Sequence, residues 1–141
     1  MDLDPTDEQQ SIVDVFGDLA ERTVPLDRLR EHEPLGFAPA LWEQLFALGA
    51  PGMAVPVDAV GAGATLLDLA LAVEALGRRL APAPLIEHAV TTRLLAETGS
   101  KLDELLDGSR IATLALRPPK DGVARLVPAG LRPGIRARHR A

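Results

Sequence analysis

The side chains able to do chemistry are few and scattered. His32, His88 and His139 lie far apart, and no two stand at the helical spacing that would pair them as metal ligands. There is no cysteine, which excludes a disulfide framework, a Cys-ligated metal and thiol catalysis. Asp27, Glu31 and Glu33 fall in a charged, solvated segment, and Asp68 and Asp103 read as helix caps. Glu74 lies at the edge of an apolar helix, placed either in solvent or against a partner. Gly61-Ala62-Gly63 precedes a helix, and helix N-termini attract anions. No strand leads into it, however, no lysine is in register, and Thr65 already supplies a cap, so it reads as a sharp turn. His88, beside Glu87, is a lone histidine of the packed or surface kind. At the end of the chain Arg132, Arg136, Arg138, His139 and Arg140 form a basic tail. Arginines in such numbers could contact phosphates, but no aromatic residue interleaves them and no recognition fold accompanies them.

These residues must be positioned by helices. Thr6 with Gln9 three residues on fits a capping box, and Ile12, Val15, Phe16 and Leu19 make one stripe of a helix running to about Arg22. Leu26–Glu33 adds at most a charged helical turn. A second helix opens near Ala38–Pro39, with proline at a position whose N–H has no intrahelical partner, and Gly49 suits its C-terminal cap. Met53-Ala54-Val55 reads as an extended apolar run inside a loop rich in Gly, Ala and Pro. Thr65 and Asp68 cap a third helix that reaches about Leu80 and is apolar over most of its circumference. Pro84 opens a fourth, Leu85–Glu97, stopped by Gly99. Ser100 with Asp103 is expected to cap a short fifth, Lys101–Leu106. The pattern then changes: Ile111–Leu116 reads as a strand bounded by Pro118, Lys120-Asp121-Gly122 as a turn, and Val123–Val127 as a second strand. From Pro128 onward there is no apolar periodicity and disorder is expected. The fold class is therefore mainly α, about five helices around an aliphatic core, with the start of a β region at the C-terminus.

Charge divides the same way. Residues 1–121 carry ten basic and twenty acidic residues, whereas residues 122–141 carry five arginines and no acid. The acidic N-terminus is no secretory signal, and the longest apolar stretch, interrupted by Asp68 and Glu74, is too short and charged to span a bilayer. A soluble, cytoplasmic protein without membrane partners is the expectation.

One block carries a family likeness. Leu41-Trp42, Gly49, Gly52, Pro56, Gly61, Gly63 and Glu74-Ala75-Leu76-Gly77-Arg78 resemble the N-terminal helical domain of acyl-CoA dehydrogenases, and the resemblance extends over roughly residues 5–117. It implies a helical domain at 1–109, the incomplete start of the family's middle β domain at 110–127, and an Arg-rich tail at 128–141. It implies FAD as cofactor, an acyl-CoA as substrate, α,β-dehydrogenation as reaction, and assembly into homo- or hetero-oligomers of dehydrogenase subunits. The family's catalytic base, usually a Glu, comes from a C-terminal bundle, so no catalytic residue is assigned here. Leu80, Pro84, Leu85 and His88 would help wall the acyl-chain cavity. Where the family carries a Glu-Pro and then a Gly-Ser pair against the flavin, this chain has Arg117-Pro118-Pro119, which leaves Leu116 as the one candidate flavin contact. A family pattern that gives way within a few residues to Arg, Pro, Gly and Ala is what out-of-frame, high-GC coding sequence yields. The resemblance thus implies an N-terminal fragment, inactive alone, with exposed apolar surface. Two alternatives stand beside it: a non-catalytic helical subunit pairing with a full-length, flavin-bearing dehydrogenase, and a nucleic-acid-associated protein acting through the tail.

Overall fold

The computed structural model describes residues 4–121, 123, 124 and 127. Among them are five α-helices: α1 (Asp7–Thr23), α2 (Pro39–Ala47), α3 (Leu66–Arg78), α4 (Leu85–Glu97) and α5 (Asp103–Leu106), with single 3-10 turns at Leu29–His32, Ala50–Gly52 and Val57–Ala59. The architecture is mainly α. Two starts are set by the same device: at α1 the Thr6 hydroxyl accepts from Gln9 N–H while Gln9 reaches back to Thr6 N–H, and Thr65 with Asp68 repeats this at α3. The Thr65 hydroxyl and its N–H both donate to the Asp68 carboxylate, which holds that carboxyl below its ordinary range. α2 begins on Pro39 and ends ahead of Gly49, whose φ of 72° lies in the left-handed region that glycine enters without strain.

The core forms where α1 crosses α3 and α2 fills the side. Leu41, Leu45, Ala54, Ala72, Leu85 and Ala89 are among its most buried members, so the packing is mainly aliphatic, as an aromatic-poor chain requires. The Ala38 N–H donates to the Pro82 carbonyl at 2.9 Å and ties the start of α2 to the α3–α4 connection. α4 packs on the Ala50–Gly52 turn, and a smaller cluster of Val55, Leu102 and Leu105 seats α5 beside it.

Three local expectations are corrected. Met53-Ala54-Val55 is a buried turn, not an extended run: Met53 N–H bonds Ala50 and Val55 N–H bonds Gly52, short-range bonds that curl the chain. α5 starts at Asp103 with Leu102 as its uncapped N-terminus, because the Ser100 hydroxyl pairs with Thr98 instead. Residues 111–116 form no strand among the described residues: a strand needs a neighbour for its ladder, and here the Ala112 N–H is committed to a side chain. Asp121 lies in a turn, and Lys120 and Val123 form an antiparallel bridge, the only trace of β pairing among the described residues; Gly122 of the expected turn lies outside them. Arg125 and Leu126 of the second expected strand and all of the tail 128–141 lie outside them.

Candidate functional site: the corner between α3, α4 and α5

The four residues expected to wall a cavity do not come together on one surface. Leu80, just past the end of α3, is 65 % exposed and sits at φ 53°, a left-handed conformation that costs a leucine about 1–2 kcal/mol. It borders an open depression of about 310 Å³ with Leu29, Arg30, His32, Glu33 and Pro82. Pro84, Leu85 and His88, by contrast, are wholly buried at the start of α4. Of the four, Leu80 alone offers surface to a ligand in the chain as described.

His88 is the most informative of them. Its ring meets Trp42 and Phe46 edge-on, with centroids 5.4 and 5.9 Å away. Nε2 lies 3.1 Å from the Leu105 carbonyl, and Nδ1 accepts from the Ala112 N–H at 3.0 Å. An amide N–H can only donate, so Nδ1 is the bare nitrogen and Nε2 carries the hydrogen. Burial pushes the imidazole down to about 4, against the smaller opposing pull of the Leu105 carbonyl. The ring is therefore neutral near pH 7, and both nitrogens are spent inside the protein. Such a histidine packs and orients; it has no lone pair free for a substrate.

Nothing in the sequence marked Arg93, yet its guanidinium donates to the Ala54 carbonyl at 2.5 Å and pairs with Glu97, pinning α4 to the buried turn. Nor did any signal mark Trp42 Nε1, which is buried without an acceptor among the described residues. Glu74 forms an exposed pair with Arg78 one turn on, and Arg110 pairs with Glu104.

The residues present do not by themselves build a flavin site. Leu116 is 72 % exposed, and the N–H groups of Gly61, Ala62 and Gly63 already donate to the carbonyls of Pro56, Gly52 and Val55. A Cβ on Gly61 would stand 2.1 Å from the Val55 oxygen, so this glycine serves close backbone approach within the turn and leaves no phosphate cradle. Among the described residues no group of three or more His, Asp or Glu is placed to hold a metal, and no helix is long and apolar enough to cross a membrane.

The fold and this corner define a helical scaffold domain whose buried polar groups serve its own architecture. Residues 6–102 match the family model for the acyl-CoA dehydrogenase N-terminal domain, and the chain belongs to that family. It is 30 % identical over 118 residues to the acyl-CoA dehydrogenase IpdE2 of Mycolicibacterium smegmatis, covering 80 % of this chain and 38 % of that protein. It is 29 % identical to the benzylmalonyl-CoA dehydrogenase of Aromatoleum aromaticum, over 86 % of this chain and 35 % of that one. Among solved structures, the ChsE4–ChsE5 complex of Mycobacterium tuberculosis superposes with a TM-score of 0.71 at 25 % identity, over 87 % of this chain and 36 % of that one. A variant of the Tcur3481–Tcur3483 steroid ACAD gives 0.65 at 31 % identity, over 78 % and 32 %. The chain thus spans only 38 % and 35 % of the length of these two relatives.

Proposed function

We propose that this chain is the N-terminal helical part of an FAD-dependent acyl-CoA dehydrogenase, which removes hydrogen from the α and β carbons of an acyl-CoA thioester, and that it turns over nothing alone. The observation that carries this reading is the match of residues 6–102 to the family's helical domain, with an aligned part that covers 38 % and 35 % of two relatives. In that reaction the α-proton goes to a base and the hydride to the flavin when it is bound. No described residue is assigned the first task, since the family's base comes from a C-terminal bundle, so base and flavin would come from other sequence. The helical part would add walls and a rigid support, with Leu80 its reachable apolar contact.

The exposed apolar residues fit this role. Ile86, Val90 and Leu94, one turn apart on α4, are 52, 41 and 43 % exposed, on a helix whose opposite face is already in the core. Such a stripe suits packing against the flavin-bearing part of a dehydrogenase, and the two-chain composition of the ChsE4–ChsE5 relative supports supply of that part by a second chain. The names of the steroid and benzylmalonyl-CoA relatives favour a ring-bearing acyl group.

Purified alone, the chain is expected to retain no FAD and to oxidise no acyl-CoA in a dye-reduction assay. Co-expression with a flavin-bearing dehydrogenase chain is expected to yield a co-purifying complex. Stoichiometric FAD and turnover in the isolated chain would overturn the proposal.

A further inference from the structure

The chain leaves the helical body through residues 109–119, and one side chain stands at the departure. Arg110 N–H still bonds the Glu104 carbonyl of α5, and Ile111 is buried in the main core. At Ala112 the N–H turns inward to His88 Nδ1, and beyond it Leu114 and Leu116 are exposed. The other nitrogen of the same ring holds the Leu105 carbonyl of α5. His88 therefore bonds two segments that follow it by 17 and 24 residues, while Trp42 and Phe46 of α2 fix the plane of its ring. The Thr92 hydroxyl, donating to the His88 carbonyl, steadies the turn of α4 on which the ring stands.

We infer that His88 is a positioning residue, a latch whose Nδ1 fixes where residues 111–116 leave the helical body and so where Leu114 and Leu116 are presented. Only what those leucines then meet rests on the proposed dehydrogenase role; the latch itself rests on the hydrogen bonds. Among the described residues the elements packed on the ring face it with the Trp42 and Phe46 rings, the Leu105 carbonyl and the Ala112 N–H, all uncharged. The neighbouring carboxylates are not aimed at it: Glu104 is exposed and paired with Arg110, and Glu87, beside His88 on α4, makes no bond to the ring. A proton added at Nδ1 would thus meet a donor, with no carboxylate to offset it, and the latch would open.

Two substitutions separate the two bonds. The Oδ1 of His88→Asn falls near the Nδ1 position and keeps an acceptor for Ala112, whereas the amide of His88→Gln reaches the Nε2 position and keeps the donor for Leu105. In full-length chain studied by amide hydrogen exchange, the Ala112 amide is expected to exchange roughly five- to tenfold faster in His88→Gln, the scale of one net hydrogen bond. It is expected to stay within about twofold of the original in His88→Asn. Equal rates in the two variants would overturn the inference. Should neither variant fold, the unaltered chain decides. Its imidazole nitrogen spectrum should show Nδ1 bare and Nε2 protonated, and acidification should release the Ala112 amide together with His88 protonation, before the amides of α1 and α3. A protonated Nδ1 at pH 7, or an Ala112 amide still protected once His88 is charged, would overturn it. None of these readouts involves flavin or turnover, so failure of the dehydrogenase proposal leaves them decisive.

Discussion

Between α1, α2 and α3 the contacts are mostly aliphatic, with Leu41, Leu45, Leu69 and Ala72 joined by the Phe16 and Trp42 rings. At the corner of α4 and α5 a neutral imidazole, two aromatic rings and a carbonyl are held in one arrangement. The apolar packing of the first region draws its stability from area removed from water, a contribution in which no group titrates. The second draws it from directed bonds that hold in one protonation state. Nondirectional packing tolerates variation in detail, while a directed corner fixes the course of the chain that leaves it.

The difference can be tested region by region. The largest effect is expected in the body: Leu45→Ala should cost about 2–5 kcal/mol in urea denaturation, by lost transfer energy and the cavity left behind, equally at pH 5 and pH 7. A pH-dependent cost there would break the contrast. Next comes the corner. The folded value of about 4 for His88 lies below its ordinary 6.5, so between the two the unfolded chain binds a proton that the folded chain does not. The stability this contributes is complete above pH 6.5 and is lost as pH falls to about 4, a difference of about 3 kcal/mol. Replacing His88 by Gln should flatten urea midpoints across that window; an unchanged pH profile would mean another group is responsible. The smallest effect concerns helix starts. Thr65→Ala should cost about 1 kcal/mol, because its hydroxyl caps α3, whereas Ser100→Ala, at a site that caps nothing, should stay within about 0.5 kcal/mol. A Ser100 effect as large as that of Thr65 would restore the cap expected from the sequence.

Much of the body was legible in the sequence because its signals are local. A capping box is read from residues three apart, and Thr6-Gln9 and Thr65-Asp68 both form as expected. α4 has the span Leu85–Glu97 that Pro84 and Gly99 imply. Ser100 misled because its hydroxyl had a competing partner in Thr98, and residues 111–116 misled because strand propensity is realised only where a ladder exists. The candidate site was legible only as a set of names. The role of His88 depends on Leu105 and Ala112, 17 and 24 residues away, and that of Arg93 on Ala54, 39 residues away.

The family, the helical class and the aliphatic character of the core were determined by sequence alone, since they follow from residue types, caps and short spacings that need no third dimension. Only tertiary structure decided that Pro84, Leu85 and His88 turn inward while Leu80 faces out, that the glycine turn spends its own amides, and that a histidine without a sequence signature accepts a hydrogen bond from the segment that leaves the helical body. The reason is physical: burial and hydrogen-bond partnership are relations between distant segments, and a histidine's protonation state is set by what those segments remove from water.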